Sequence, residues 1–354
     1  MSDEVILLAH GSGGKLSHDL VERLFLRHFD NPTLLQLDDA AVLPMPGMSG
    51  PAHQPPRAGQ PANPRLAFTT DSYVVSPLFF PGGDIGKLAV CGTVNDLSMS
   101  GARPLWLSAG FIIEEGLPLA DLERIVASMA STAEEAGVQI VAGDTKVVDR
   151  GSADRLFINT AGVGVVAPDV EMSGDRGRAG DVVLISGTIG DHGMTIMTQR
   201  EGLQFDSPLV SDCAALNGMV ARLLAAVPAG SIHCLRDPTR GGLATTLNEL
   251  AARSGVGIEV EEMAVPVRDA VRGSCELLGL DPFYVANEGK LVALVAPQAA
   301  SAALTALRAH PLGGEANVIG QVTADHPGRV VLRTALGARR VLDMLVGEQL
   351  PRIC

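Results

Sequence analysis

Short apolar or β-branched runs alternate with helix-like stretches along this chain, and the alternation starts again after a polar, glycine-rich break at Glu171–Gly180. Leu34–Leu37, Leu66–Thr70, Leu105–Ile113, Val138–Val141 and Leu156–Val166 have the length and branching of strands. Ile85–Ser100 and Leu119–Ala136 read as helices. In the second, Leu119, Leu122, Ile125, Val126 and Met129 make one apolar stripe. Past the break, strands are predicted at Val182–Ser186, Ile258–Val260, Leu291–Val295, Val318–Val322 and Val330–Leu332. Helices are predicted near Met194–Arg200, Ala214–Ala226, Leu243–Arg253 and Ala299–Ala309. The pattern calls for two α/β or α+β units in tandem. A length of 354 residues suits two cores better than one. The units are expected at residues 1–168 and 178–342, with residues 343–354 as a mobile tail. Fully extended, a tail of about 10 residues reaches roughly 33 Å. Pro44–Pro64, rich in Pro and Gly, reads as a surface excursion.

With 40 acidic against 27 basic residues the formal net charge is -13, which leaves no cationic excess for general nucleic-acid binding. Phosphates of a nucleotide remain compatible, because carboxylates can hold them through magnesium. No apolar run is long enough for a membrane span, and Asp3 and Glu4 near the start are unlike a signal peptide. The cysteines at 91, 213, 234, 275 and 354 are odd in number and form no CxxC pair, so neither a zinc cage nor a disulfide framework is expected. A reduced, cytoplasmic protein follows as the expectation. Cys354, at the end of the tail, stands apart from the others.

Acidic residues gather where strand-like runs end. Asp38 and Asp39 follow Leu34–Leu37, Asp71 follows Leu66–Thr70, Asp96 lies in Gly92-Thr93-Val94-Asn95-Asp96, and Asp144 lies in Gly143-Asp144-Thr145-Lys146. Each alone is as well explained as a turn former or helix cap. Four such places in one unit, with Lys87 and Lys146 interleaved, point to a metal–nucleotide site. His10-Gly11-Ser12-Gly13-Gly14-Lys15 lacks P-loop spacing and reads as either a lid or a simple turn. Arg236-Asp237-Pro238-Thr239-Arg240-Gly241-Gly242 precedes a helix, as an anion site or an ordinary capping turn would. Glu288, in Ala286-Asn287-Glu288-Gly289-Lys290 beside an apolar strand, is either paired with a cation or tuned for proton transfer. The histidines show no ligand spacing, and none is assigned a role.

The strings AHGSGGKLSHDLV, DDAAVL, TTDSYVVSPLFFPGGDIGKLAVCGTVNDLSMSGA, VAGDTKVV, ISGTIGDHGMTIM, RDPTRGGLATTLNEL, VANEGK and the terminal PRIC span nearly the whole chain. Together they resemble the HypE family of the PurM-like ATP-binding superfamily, whose relatives include aminoimidazole ribonucleotide synthetase and selenophosphate synthetase. The resemblance implies a PurM-like two-domain fold and a homodimer whose first domains close a shared β-barrel. It implies magnesium on Asp39, Asp71, Asp96 and Asp144 with help from Asp38, and ATP contacts at Asp39, Lys87, Thr93, Asn95, Asp144 and Asp237. It also implies a proton-transfer pair of Lys146 and Glu288, and Cys354 as the working thiol. The implied reaction is ATP-dependent dehydration of an S-carbamoyl group on Cys354 to S-cyano, for the cyanide ligands of a [NiFe]-hydrogenase iron. A HypF-type carbamoyltransferase would supply the carbamoyl group, and a HypC–HypD-type complex would accept the cyanide. The chief departure from the family pattern is the length of Pro44–Pro64.

Two other classes of function compete. An ATP-dependent enzyme acting on a free small molecule would need no terminal thiol, and a selenophosphate synthetase would carry Cys or selenocysteine in His10–Lys15, which has neither. A non-enzymatic assembly scaffold would leave the carboxylate array without a purpose.

Overall fold

The computed structural model describes residues 5–29, 31–45, 63–203, 209–347, 350 and 353–354. The first half runs α1 (Lys15–Leu20), β1 (Ala41–Pro44), β2 (Arg65–Tyr73), β3 (Phe79–Phe80), β4 (Gly83–Asp84), α2 (Ile85–Met99), β5 (Ala102–Glu114), α3 (Leu119–Ala136), β6 (Gln139–Val148) and β7 (Leu156–Val166). The second runs β8 (Val182–Ile185), α4 (Asp191–Glu201), α5 (Asn217–Ala226), β9 (Ile232–Arg236), α6 (Gly242–Ser254), β10 (Gly257–Glu261), α7 (Asp269–Leu278), β11 (Val292–Val295), α8 (Ala300–Arg308), β12 (Asn317–Thr323), β13 (Val330–Arg333) and β14 (Arg339–Leu342).

A five-stranded sheet, ordered β1-β2-β7-β5-β6, is built from the first half, and a seven-stranded sheet, ordered β14-β13-β10-β12-β8-β11-β9, from the second. This is a mixed α/β two-domain architecture. Helix α2 begins at Asp84, whose carboxylate accepts from the backbone N–H groups of Gly86 and Lys87 at 2.7 and 3.1 Å. Lys87 and Asp96 are its only charged residues, so it can be apolar nearly all round and is buried over almost its full length. It packs on β2, β5 and β7 and also touches α5 and β9 of the second half, so it couples the two sheets. Every residue of β6 but the last is exposed, although β6 pairs with β5 along its length.

Most predicted elements form within a residue or two of their expected bounds. Leu34–Leu37 does not: it is a 3-10 turn over Leu34–Gln36 that ends with Leu37 in a left-handed conformation (φ 49°). The Asn31 side chain accepts from the N–H groups of Thr33 and Leu34 at 3.1 and 2.9 Å, and this local capping wins over strand pairing. Asp71 and Asp144 also lie inside strands rather than at their ends, because β2 runs on to Tyr73 and β6 to Val148. The short edge strand β14 and the helix α7 have patterns too brief or too polar to stand out in the sequence. Residues 46–62 of the Pro-rich excursion, and Pro351 and Arg352 of the terminal string, lie outside the described residues.

Candidate functional site

Two cavities meet near the ends of β2 and β9. The first, about 350 Å³, is lined by Ser72, Val74, Ala286, Leu350, Ile353 and Cys354 among others. The second, about 330 Å³, holds Asp39, Arg236, Asp237 and Glu249. Gly11 and Arg240 line both. Arg240 therefore stands at the junction between a thiol and a group of carboxylates.

On the thiol side, the tail is seated rather than projecting: Ile353 is 3 % exposed and Cys354 is half-buried. The Cys354 thiol faces the Glu288 carboxyl. Burial raises the thiol pKa well above its ordinary value; Glu288 and Asp71 add to the rise and Arg240 opposes it. Glu288 itself is 3 % exposed. Burial, then the charges of Asp212, Asp237 and Asp71, hold its carboxyl well above the usual range, again against Arg240. A carboxylate made this basic is suited to removing a proton from a weak acid.

The loop that carries Glu288 is fixed from both sides. Asp212 accepts from the backbone N–H groups of Glu288 and Gly289, each at 3.2 Å, and from Lys290 Nζ at 3.0 Å. Asn287 donates to the carbonyl of Pro238 at 2.8 Å and accepts from the Gly190 N–H at 2.8 Å, which ties this loop to the Asp237 turn and to the start of α4.

On the carboxylate side, Asp39, Asp96 and Asp237 place one oxygen each within 4.8 Å of the others. Asp39 comes from the turn after Leu37, Asp96 from α2, and Asp237 from the end of β9. Thr69 Oγ1 links the first two, 2.8 Å from the Asp39 carbonyl and 3.0 Å from Asp96 Oδ2. Burial first, then repulsion by neighbouring carboxylates (Asp71 and Glu249 in the case of Asp237), raises all three: Asp39 and Asp96 rise well above the ordinary value, and Asp237 is pushed up to about 6. Arg236 offsets part of this charge, with Nε 2.8 Å from Asp39 Oδ1 and Nη2 3.0 Å from Glu249. Hard oxygen donors from three elements, with more negative charge than their arginine neutralises, fit a magnesium ion. Asp71 lies 3.8 Å from Arg240 at the junction.

The other sequence-predicted residues are placed differently. Asp38 is spent on structure: it accepts from Arg253 at 2.8 Å, from Ser173 at 2.8 Å and from the Gly174 N–H at 2.9 Å. Thr93 is buried against Thr160 and Tyr73. Asn95 is buried too, bonded to the carbonyls of Ala214 and Glu288 and to the Leu216 N–H, so it braces the Glu288 loop. Lys87 donates to the Gly82 carbonyl at 2.9 Å. Asp144 and Lys146 pair with each other at 3.6 Å on exposed β6, in a groove that shares Ser72 and Val74 with the thiol cavity. They are not brought against Glu288 or the carboxylate cluster.

The glycine-rich N-terminal loop covers the junction. Ser12 donates to the Gly347 carbonyl at 3.2 Å, Lys15 N–H donates to Leu345 at 2.9 Å, and Arg240 donates to Gly11 at 3.2 Å. Gly13 and Gly14 lie so close to Arg240 and Leu345 that a Cβ at either would clash. Sequence reasoning left Arg236, Arg240, Asp212 and His192 without roles. The two arginines were visible in the string RDPTRGG, whereas Asp212 lies in a featureless loop.

The family models for AIR synthase related proteins match residues 37–166 (N-terminal domain) and 178–333 (C-terminal domain). The chain is 56 % identical over 347 residues to carbamoyl dehydratase HypE of Azotobacter vinelandii, covering 98 % of this chain and 96 % of the relative. A solved structure of HypE in complex with ATP is 56 % identical and superposes with a TM-score of 0.79, covering 99 % of this chain and 100 % of the other. The HypE chain of a HypE–HypF complex is 48 % identical with a TM-score of 0.82, covering 92 % and 99 %. With this similarity over the full length and on both halves of the fold, the chain belongs to the HypE carbamoyl dehydratase family and has its PurM-like two-domain fold.

Proposed function

We propose that this protein uses ATP to dehydrate a carbamoyl group carried on its own Cys354, leaving a cyano group destined for the iron of a [NiFe]-hydrogenase. The observation that carries this reading is the seating of Cys354 against Glu288 in a cavity that meets the carboxylate cavity at Arg240. An ATP-complexed relative of 56 % identity supports nucleotide binding in the same fold.

ATP occupies the carboxylate cavity in this proposal, with its terminal phosphoryl directed toward Arg240. Magnesium would be held by Asp39, Asp96 and Asp237, with Asp71 beside them, and when bound would neutralise phosphate charge. The carbamoyl oxygen attacks the γ-phosphorus and ADP leaves, giving an O-phosphorylated imidate on sulfur. The nitrogen gives up one proton at this stage. It loses the second as the C–O bond breaks, yielding S–C≡N and hydrogen phosphate, with one proton released overall. Glu288 is the first acceptor from nitrogen, and Arg240 steadies charge on the transferred phosphoryl group. Lys146, in the groove that shares Ser72 and Val74 with the thiol cavity, is the proposed second member of the relay. Lys87 and Asp144 remain proposed nucleotide contacts, whereas Asn95 serves by holding α2 against the Glu288 loop and Thr93 by bonding α2 to Thr160 of β7.

A HypF-type carbamoyltransferase is the proposed donor, in keeping with the HypE–HypF complex of a relative. A HypC–HypD-type complex is the proposed acceptor. We place the working protein in the cytoplasm; among the described residues no helix is long and apolar enough to cross a membrane. A homodimer closed through β6, with units at residues 1–168 and 178–342, accounts for that strand's exposure. Intact-mass analysis of the carbamoylated chain with Mg-ATP tests the reading: the C-terminal peptide should lose the mass of one water. Retention of the carbamoyl mass under ATP turnover would refute it, and Cys354→Ala should show neither modification.

A further inference from the structure

The first turn of α4 meets the terminal residues at two points. His192, fully buried, places Nε2 2.7 Å from the carbonyl oxygen of Ile353, the residue before the working cysteine. Because a carbonyl only accepts, Nε2 carries the proton of this bond. The other ring nitrogen, Nδ1, lies 2.8 Å from Ser211 Oγ. Ser211 Oγ accepts from the Cys213 N–H at 3.1 Å, which leaves its own proton free to donate to Nδ1. The relay Cys213 N–H to Ser211 to His192 to Ile353 therefore selects one tautomer of a neutral imidazole. Phe80 packs edge-on against the ring, with centroids 5.5 Å apart, and limits its rotation.

The second contact is steric. Gly193 lies against Leu350, and a Cβ built there would fall 3.2 Å from Leu350 Cδ1 and closer still to Val285. The Gly193 N–H donates to the Ala286 carbonyl at 3.1 Å, which joins this turn to the loop bearing Glu288. One structural unit thus holds both the tail and the base that faces its thiol.

We propose that His192 is a positioning residue: its Nε2–H clamps the Ile353 carbonyl and so keeps Cys354 beside Glu288. The two ring nitrogens are taken up by Ser211 and the Ile353 carbonyl. Its effect on catalysis rests on the function proposed above, whereas its effect on where the tail sits does not.

The test separates these two. Without ATP or carbamoyl donor, alkylation of Cys354 by iodoacetamide, read on the C-terminal peptide, reports how often the tail leaves its seat. The other four cysteines are buried. His192→Leu should raise the Cys354 rate about five- to tenfold, the shift expected when one buried hydrogen bond is lost. His192→Gln, whose amide N–H can reach the same carbonyl, should stay within about twofold of the parent. Ser211→Ala, which leaves the ring in place but frees its tautomer, should fall between them and keeps the test usable if His192→Leu does not fold. Equal alkylation rates for the parent, a folded His192→Leu chain and Ser211→Ala would overturn the proposal, as would His192→Gln matching His192→Leu. In single-turnover dehydration, His192→Leu should slow the step at saturating ATP while half-saturation for ATP stays unchanged. A changed alkylation rate with no dehydration in any variant, the parent included, would strike at the proposed function and leave the clamp standing.

Discussion

Arg236 Nε sits 2.8 Å from Asp39 Oδ1, so the last residue of β9 in the second half reaches across to a carboxylate of the first. The same guanidinium holds Glu249 at 3.0 Å and the Leu37 carbonyl at 3.1 Å. With every edge occupied and 16 % of its side chain exposed, it serves as the counter-charge of the cluster and as a strut between the halves. Arg236→Gln leaves Asp39 facing Asp96 and Asp237 uncompensated and should cost about 3 kcal/mol in urea unfolding. Adding Asp39→Asn should recover part of that loss. A double variant no more stable than the single would show that the strut, not the charge, matters.

Two of the aspartates that the sequence marked as metal ligands have opposite jobs. Asp38 is saturated by Arg253, Ser173 and the Gly174 N–H, while Asp96 faces Asp39 and Asp237. Asp96→Asn should therefore weaken magnesium-dependent ATP binding, by at least the roughly tenfold that loss of an outer-shell partner costs at metal sites. Asp38→Asn should leave that affinity near the parent value and lower the melting temperature instead. Calorimetric titration of Mg-ATP with both variants checks the assignment, and equal losses would refute it.

Glu288 gives the dehydration its pH dependence. Burial first, then Asp212, Asp237 and Asp71, raise its carboxyl well above the ordinary 4.5. Activity should fall as pH drops through this raised value, so the acid limb should lie above the ordinary carboxylate range. The stability trend has the opposite sense. The folded chain keeps the proton that the unfolded chain releases above about 4.5, so the stability linked to this group declines as pH rises. Glu288→Gln should abolish dehydration and gain stability over the parent as pH increases. Because Arg240 opposes the rise, Arg240→Gln should move the acid limb to still higher pH. A pH profile of single-turnover dehydration and melting curves at several pH values test both directions.

The exposed strand β6 carries Val141 and Val147 at 61 % and 67 % exposure. If a second copy covers it, Val141→Lys should convert a dimer to monomers in sedimentation, while the monomer's melting temperature changes little, because the site is exposed in the single chain. A parent chain that sediments as a monomer would remove the shared-barrel proposal.

From its own periodicity the sequence determined the alternating elements, the restart after Glu171–Gly180, and the deep burial of α2, whose composition leaves it almost no polar face. It also made Glu288 and Cys354 stand out, one by its polar setting beside an apolar strand and the other by its place at the chain's end. Those features depend on residues close together along the chain. What only the tertiary structure decided is which carboxylates converge. Asp39, Asp96 and Asp237 come from a turn, a helix and a strand end, and no local pattern records that three such places meet within 4.8 Å. The same holds for Asp38, diverted to Arg253 across 215 positions of sequence, and for His192, whose carbonyl partner Ile353 lies 161 positions away. Local sequence sets backbone conformation and burial through short-range sterics and apolar spacing. Charge pairing and hydrogen-bond geometry are set by which distant segments share one buried space.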